Sequence, residues 1–67
     1  MKLLDIVELT VDLPEEGLSA GDTGTIIDVY STGYEVEFVA DDGRTLALTA
    51  LRPDQVRPAA PRGRYPT

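Results

Sequence analysis

Apolar residues in this chain recur at every second position, in short runs broken by Gly, Pro, Asp and Ser. Side chains alternate between the two faces of a strand, so this period predicts half-buried strands of an antiparallel sheet. Helical spacing is nowhere sustained. In the first run Val7, Leu9, Val11 and Leu13 share one face, against Glu8, Thr10 and Asp12 on the other. Pro14, Glu15, Glu16 and Gly17 end it and open a long loop reaching Gly24, because proline removes a ladder donor and glycine permits a sharp turn. Within the loop, Leu18 is expected to tuck against the end of the core, and Gly21, Asp22 and Gly24 to form a tight turn.

Thr25 to Tyr30 is a dense run of β-formers whose phase has two readings. Strict alternation places Ile27 with Val29 on one face, whereas a bulge puts Ile26 and Val29 inside. After a turn at Ser31, Thr32 and Gly33, Tyr34, Val36 and Phe38 alternate cleanly with Glu35 and Glu37. Asp41, Asp42 and Gly43 then carry hairpin-turn chemistry, since Asp-Gly accommodates the positive φ angles that tight two-residue turns need. The returning strand, Arg44 to Thr49, sets Leu46 and Leu48 on one face. Arg52-Pro-Asp fits one 3₁₀ turn before a short closing strand at Val56, and three prolines from Pro58 on predict a disordered tail.

At 67 residues there is room for one hydrophobic core. The pattern describes an all-β fold, a small five-stranded SH3-like barrel over residues 1–58 with a 3₁₀ turn before the last strand, and a flexible tail over 59–67. A five-stranded oligonucleotide-binding-type barrel is the alternative, though it usually needs a longer chain.

The stretch Leu18-Ser-Ala-Gly-Asp-Thr-Gly-Thr-Ile26, followed by Val29, resembles the KOW-type motif, in which a glycine-centred turn leads into a strand of an SH3-like barrel. Together with Leu4-Asp-Ile-Val-Glu-Leu, Tyr34-Glu-Val-Glu-Phe-Val39 and Leu51-Arg-Pro-Asp-Gln-Val56, the chain resembles a family of small bacterial proteins classed as a domain of unknown function. The resemblance covers roughly Lys2 to Pro58 and implies a fold and a bacterial setting. It transfers no catalytic residue.

Cysteine and histidine are both absent, which removes disulfides, a thiolate nucleophile, an imidazole base and zinc sites of the nitrogen and sulfur type. No cofactor and no metal is expected. Glu35 and Glu37 fall on an outward strand face, where solvated carboxylates serve solubility rather than acid-base chemistry. Asp41 and Asp42 have a turn explanation, and the spacing of a calcium loop is missing. Gly17, Gly21 and Gly24 lack the lysine and helix of a phosphate-cradling loop. An enzyme is not expected.

The first thirteen residues hold one lysine and then Asp5, Glu8 and Asp12, which is not the basic start and unbroken apolar run of a signal peptide. No segment approaches the roughly 20 apolar residues that span a bilayer, so the expectation is a soluble, cytoplasmic protein without membrane contact. The net charge is −6, and four of the six basic residues, Arg52, Arg57, Arg62 and Arg64, sit near the C-terminal end. Phosphate-backbone affinity comes from clustered Lys and Arg, so a basic protein is the favoured partner and nucleic acid is disfavoured. Tyr30 flanks a turn and, with Glu35, Glu37, Asp41, Asp42 and Arg44, makes the candidate partner-binding set; Tyr34 shares phase with the core.

These observations predict a non-catalytic protein-binding module, with an antitoxin-like or immunity-like inhibitor of a basic bacterial protein as its sharpest form. The alternatives are a KOW-like nucleic-acid or ribosome-binding domain and an accessory subunit that offers a strand edge to a larger enzyme.

Overall fold

The computed structural model describes residues 1–59. They form five antiparallel strands, β1 (Ile6–Leu9), β2 (Thr23–Tyr30), β3 (Gly33–Val39), β4 (Thr45–Leu51) and β5 (Val56–Pro58), in one sheet of order β4-β3-β2-β1-β5. Two 3₁₀ turns, at Pro14–Glu16 and Pro53–Gln55, interrupt the connections. The architecture is all-β, and no helix is long and apolar enough to cross a membrane.

β1 delivers Val7 and Leu9 to the core but stops at Leu9, short of the run predicted to Leu13. The reason is a change of backbone partner. Leu9 exchanges hydrogen bonds with the loop, its N–H donating to Asp22 O at 2.9 Å and its carbonyl accepting from Gly21 N at 2.8 Å. The next residue, Thr10, is bound to the far end of the chain, with its N–H on Gln55 O at 2.9 Å and its hydroxyl on Asp54 O at 2.8 Å. Val11 is therefore exposed rather than internal, and Leu13 packs half-buried against the core. Leu13 bridges Leu18 across the first 3₁₀ turn, and Leu18 is buried as expected.

Gly24 corrects the predicted turn: the turn closes at Ser19–Asp22, and Gly24 lies inside β2. A Cβ there would meet Val36 Cγ1 at 2.7 Å, Glu37 O at 2.8 Å and Phe38 Cδ2 at 2.9 Å. The missing side chain is what lets β3 cross this close.

β2 carries a bulge. Ile26 pairs with Val36 and Asp28 with Glu35, leaving Ile27 as the extra residue. Ile26 is fully buried, as the bulged phase predicts, but Val29, opposite Tyr34, is 47% exposed. The bulged phase placed Val29 inside with Ile26. It lies instead in the hairpin arm beyond Ile26, where all four remaining β2 residues are exposed.

β3 is as read: Val36 and Phe38 are buried and Tyr34 packs half-buried against them. The hairpin to β4 closes with Gly43 N on Ala40 O at 2.9 Å and Ala40 N on Arg44 O at 2.8 Å, and Gly43 takes φ 89°. This is a three-residue loop, not the expected two-residue turn, because Ala40 pairs with Arg44 and only the last loop position, Gly43, is left-handed. A second bulge follows, since Val39 pairs with Thr45 but Phe38 with Ala47. Leu46 has no β3 partner and lines a hollow with Leu18 and Phe38, whereas Leu48 pairs with Glu37 on the outer face. The expected common face of the two leucines is thus split, and Ala47 and Leu51 fill the inner positions.

The second 3₁₀ turn is held by Gln55, whose side-chain oxygen accepts Arg52 N at 2.8 Å while its own N–H reaches Arg52 O at 3.0 Å. Val56 then enters the core and β5 pairs with β1 through Pro58. Ala59 N reaches Ile6 O at 3.1 Å, and the rest of the expected tail, 60–67, lies outside the described residues. Among the described residues no polar or charged side chain is buried, so the side chains of the core meet by apolar contact while the strand ladders pair the backbone. Each large aliphatic or aromatic side chain removed from water contributes about 1.5–3 kcal/mol.

Candidate protein-binding face

Antiparallel register places one row of side chains across the outer face: Ile6 beside Thr25, Thr25 beside Glu37, and Glu37 beside Leu48. A second row sets Asp28 beside Glu35 and Glu35 beside Ala50. The face is thus carboxylates interleaved with exposed aliphatics, Ile6 and Leu48 each at 54% exposure.

Three of the predicted site residues meet here or next to it. Glu37 is half-buried and its Oε2 accepts the Thr45 hydroxyl at 2.7 Å. Glu35, also half-buried, accepts the Tyr30 hydroxyl on Oε1 at 3.1 Å. That hydrogen bond, with lesser contributions from desolvation and from the charges of Glu35 and Asp28, raises the Tyr30 phenol above its ordinary value of 10.0. Tyr30 also stands with Tyr34, Ala50 and Arg52 around a shallow hollow of about 170 Å³.

Asp41, Asp42 and Arg44 form a separate group at the β3–β4 turn. Asp42 accepts Arg44 N at 3.1 Å and pairs with Arg44 Nε at 2.8 Å, and these bonds hold its carboxyl below 3.8, the backbone N–H being the larger cause. Asp41 is exposed beside them. Sequence reasoning missed Ile6, Thr25, Asp28 and Leu48 as members of the face. Cross-strand register alone brings them together, and alternation within one strand does not reveal which neighbour it meets.

The arrangement offers hydrogen-bond acceptors and apolar contact. Among the described residues no group of three or more Asp, Glu, Cys or His is placed to hold a metal ion.

A family model described as a domain of unknown function, DUF4926, matches residues 3–58. The chain belongs to the DUF4926 family. The match spans all five strands of the sheet, so this DUF4926 domain and the folded unit coincide. No curated protein and no solved structure matches this chain.

Cations on the DUF4926 domain are spoken for. Among the described residues each lysine and arginine pairs with a carboxylate: Lys2 with Asp5 at 3.1 Å, Arg44 with Asp42 at 2.8 Å, Arg52 with Asp54 at 3.0 Å and Arg57 with Glu8 at 2.6 Å. Of the twelve Asp and Glu residues, those four pairs leave eight without a lysine or arginine partner among the described residues, including Asp28, Glu35, Glu37 and Asp41.

Proposed function

We propose that this DUF4926 domain is a non-catalytic protein-binding module that receives a basic protein on the outer face of its sheet. The observation that carries the reading is the charge pairing: each described lysine and arginine already lies against a carboxylate, while carboxylates without a lysine or arginine partner share the face with Ile6 and Leu48. Such a face attracts cationic side chains and gives the contact an apolar centre, and complementary potentials raise the encounter rate while rejecting acidic partners. In its sharper form the module is a stoichiometric inhibitor of the antitoxin or immunity type, acting in the cytoplasm.

The strand order, with the last strand beside the first and a 3₁₀ turn just before it, supports an SH3-like, KOW-like barrel as the scaffold. KOW-like domains that bind nucleic acid need free cations along one surface, and the pairing of Arg44, Arg52 and Arg57 weighs against that use here.

The test is affinity capture from the native source with the wild-type chain and with Glu35→Lys/Glu37→Lys, followed by titration calorimetry on the purified partner. The expected result is one basic protein bound at one-to-one stoichiometry, with affinity that falls as salt rises and is lost in the reversed-charge variant. Partners retained equally by both chains, or a partner that is RNA, would overturn the reading.

A further inference from the structure

The sheet has two edges, and they are built differently. β5 is three residues long, ends in Pro58 and carries Arg57, so its edge is short, lacks a donor and is charged. Those features block strand addition. β4 is seven residues long, Thr-Leu-Ala-Leu-Thr-Ala-Leu, without proline and without charge. Each of the other four strands contains at least one charged residue. Among the described residues β4 pairs only with β3, and no loop or side chain donates to or accepts from its other edge.

We infer that the free edge of β4 pairs with β4 of a second copy, antiparallel about a two-fold axis near Leu48, to make one continuous sheet of two domains. A second copy is the occupant because of charge. A molecule of net charge −6 meets its own kind only where its carboxylates do not face each other, and β4 is its one uncharged strand among those described. The ends of β4 fit the same symmetry. Arg44 and Asp42 stand at the start of the strand and Arg52 and Asp54 just past its end, each pair already an ion pair. Antiparallel pairing about Leu48 brings Arg44 beside Arg52 of the second copy, together with both aspartates, so each end of the joint holds two positive and two negative charges. The ladder adds main-chain hydrogen bonds, and Leu48, 54% exposed in the single chain, covers Leu48 of the other copy. The pairing covers Leu48 but leaves Ile6, Asp28, Glu35 and Glu37 of the outer face open, so the acidic part of that face remains available to the basic partner proposed above.

The experiment is sedimentation equilibrium on the full chain, with Leu48→Lys as the disrupting variant and Ile6→Lys as the control, since Ile6 is equally exposed on the same face but lies on β1, three strands away from β4. The wild type and Ile6→Lys should sediment at twice 7.3 kDa and Leu48→Lys at 7.3 kDa, with unchanged circular dichroism. The chain has no cysteine, so Leu48→Cys and Ile6→Cys read the geometry independently: the first should oxidise to a covalent dimer and the second should not. A 7.3 kDa wild-type species at every concentration overturns the inference. So does a dimer that survives Leu48→Lys without cross-linking through Cys at 48, or β4 amide protection that appears only when another protein is added.

Discussion

Tyr30, at the end of β2, donates its phenolic hydroxyl to Glu35 Oε1 on β3, 3.1 Å away. The bond stands beside the Asp28–Glu35 cross-strand pair, where the Val29 N–H donates to Asp28 Oδ1 at 2.9 Å and the Tyr30 hydroxyl is the side-chain donor to Glu35. A cation from a partner would compete for the same oxygen. The phenol consequently reports on the state of the face.

The folded phenol titrates above its ordinary value because of this bond, so its contribution to stability is present below pH 10 and is lost as pH rises through the folded value. Carbon-13 chemical shifts of the tyrosine ring followed against pH should show Tyr30 titrating higher in the wild type than in Glu35→Gln. An unchanged Tyr30 titration in that variant would remove Glu35 as the cause.

Two exposed aspartates separate backbone from side-chain control. Asp42 is held low first by Arg44 N and then by the Arg44 side chain, whereas Asp54 is held low first by the Arg52 side chain. Both therefore favour the folded state above pH 3.8 and lose that contribution as pH falls through their lowered values. By NMR titration Arg44→Ala should leave Asp42 still depressed, while Arg52→Ala should return most of the Asp54 shift. Equal responses would show that side-chain charge governs both.

The β2 bulge fixes which isoleucine matters. Ile26→Ala should cost about 2–5 kcal/mol in chemical denaturation, as deletion of buried methyl groups from a packed core does. Ile27→Ala, at a residue 38% exposed, should cost well under half of that. Comparable losses at both positions would mean that the register does not shift between Ile26 and Asp28.

Gly24→Ala should destabilise the fold by about 1–3 kcal/mol, because the added methyl has to displace the Glu37 carbonyl as well as the Val36 and Phe38 side chains. A neutral outcome in thermal unfolding would mean that β3 can withdraw freely.

What the sequence disclosed and what it hid divide along one physical line. Val36 and Phe38, the Asp41-Asp42-Gly43 turn, the 3₁₀ turn after Arg52 and the burial of Leu18 follow from local alternation, turn chemistry and proline geometry, all properties of neighbouring residues. Val11, Val29 and the separation of Leu46 from Leu48 do not, because each depends on where a distant strand ends or slips. Val11 is lost to the core when Thr10 binds Asp54 and Gln55, and the leucines part because a bulge falls opposite Phe38. Gly24 looks like a turn residue in the sequence and serves as a clearance for β3. In the candidate face, the carboxylates on β3 were readable, and their neighbours across the strands were not.

The pairing of β1 with β5 has a consequence for how the domain is made. Val7 and Leu9 are made before β2, β3 and β4, but Val56, which pairs with Leu9 and seals that side of the core, is made only after all three. Contacts so far apart in sequence form late and carry a large loop-closure cost. Until they form, the nascent chain carries β1 with one flank uncovered, so the sheet reaches a protease-resistant state only once β5 has emerged.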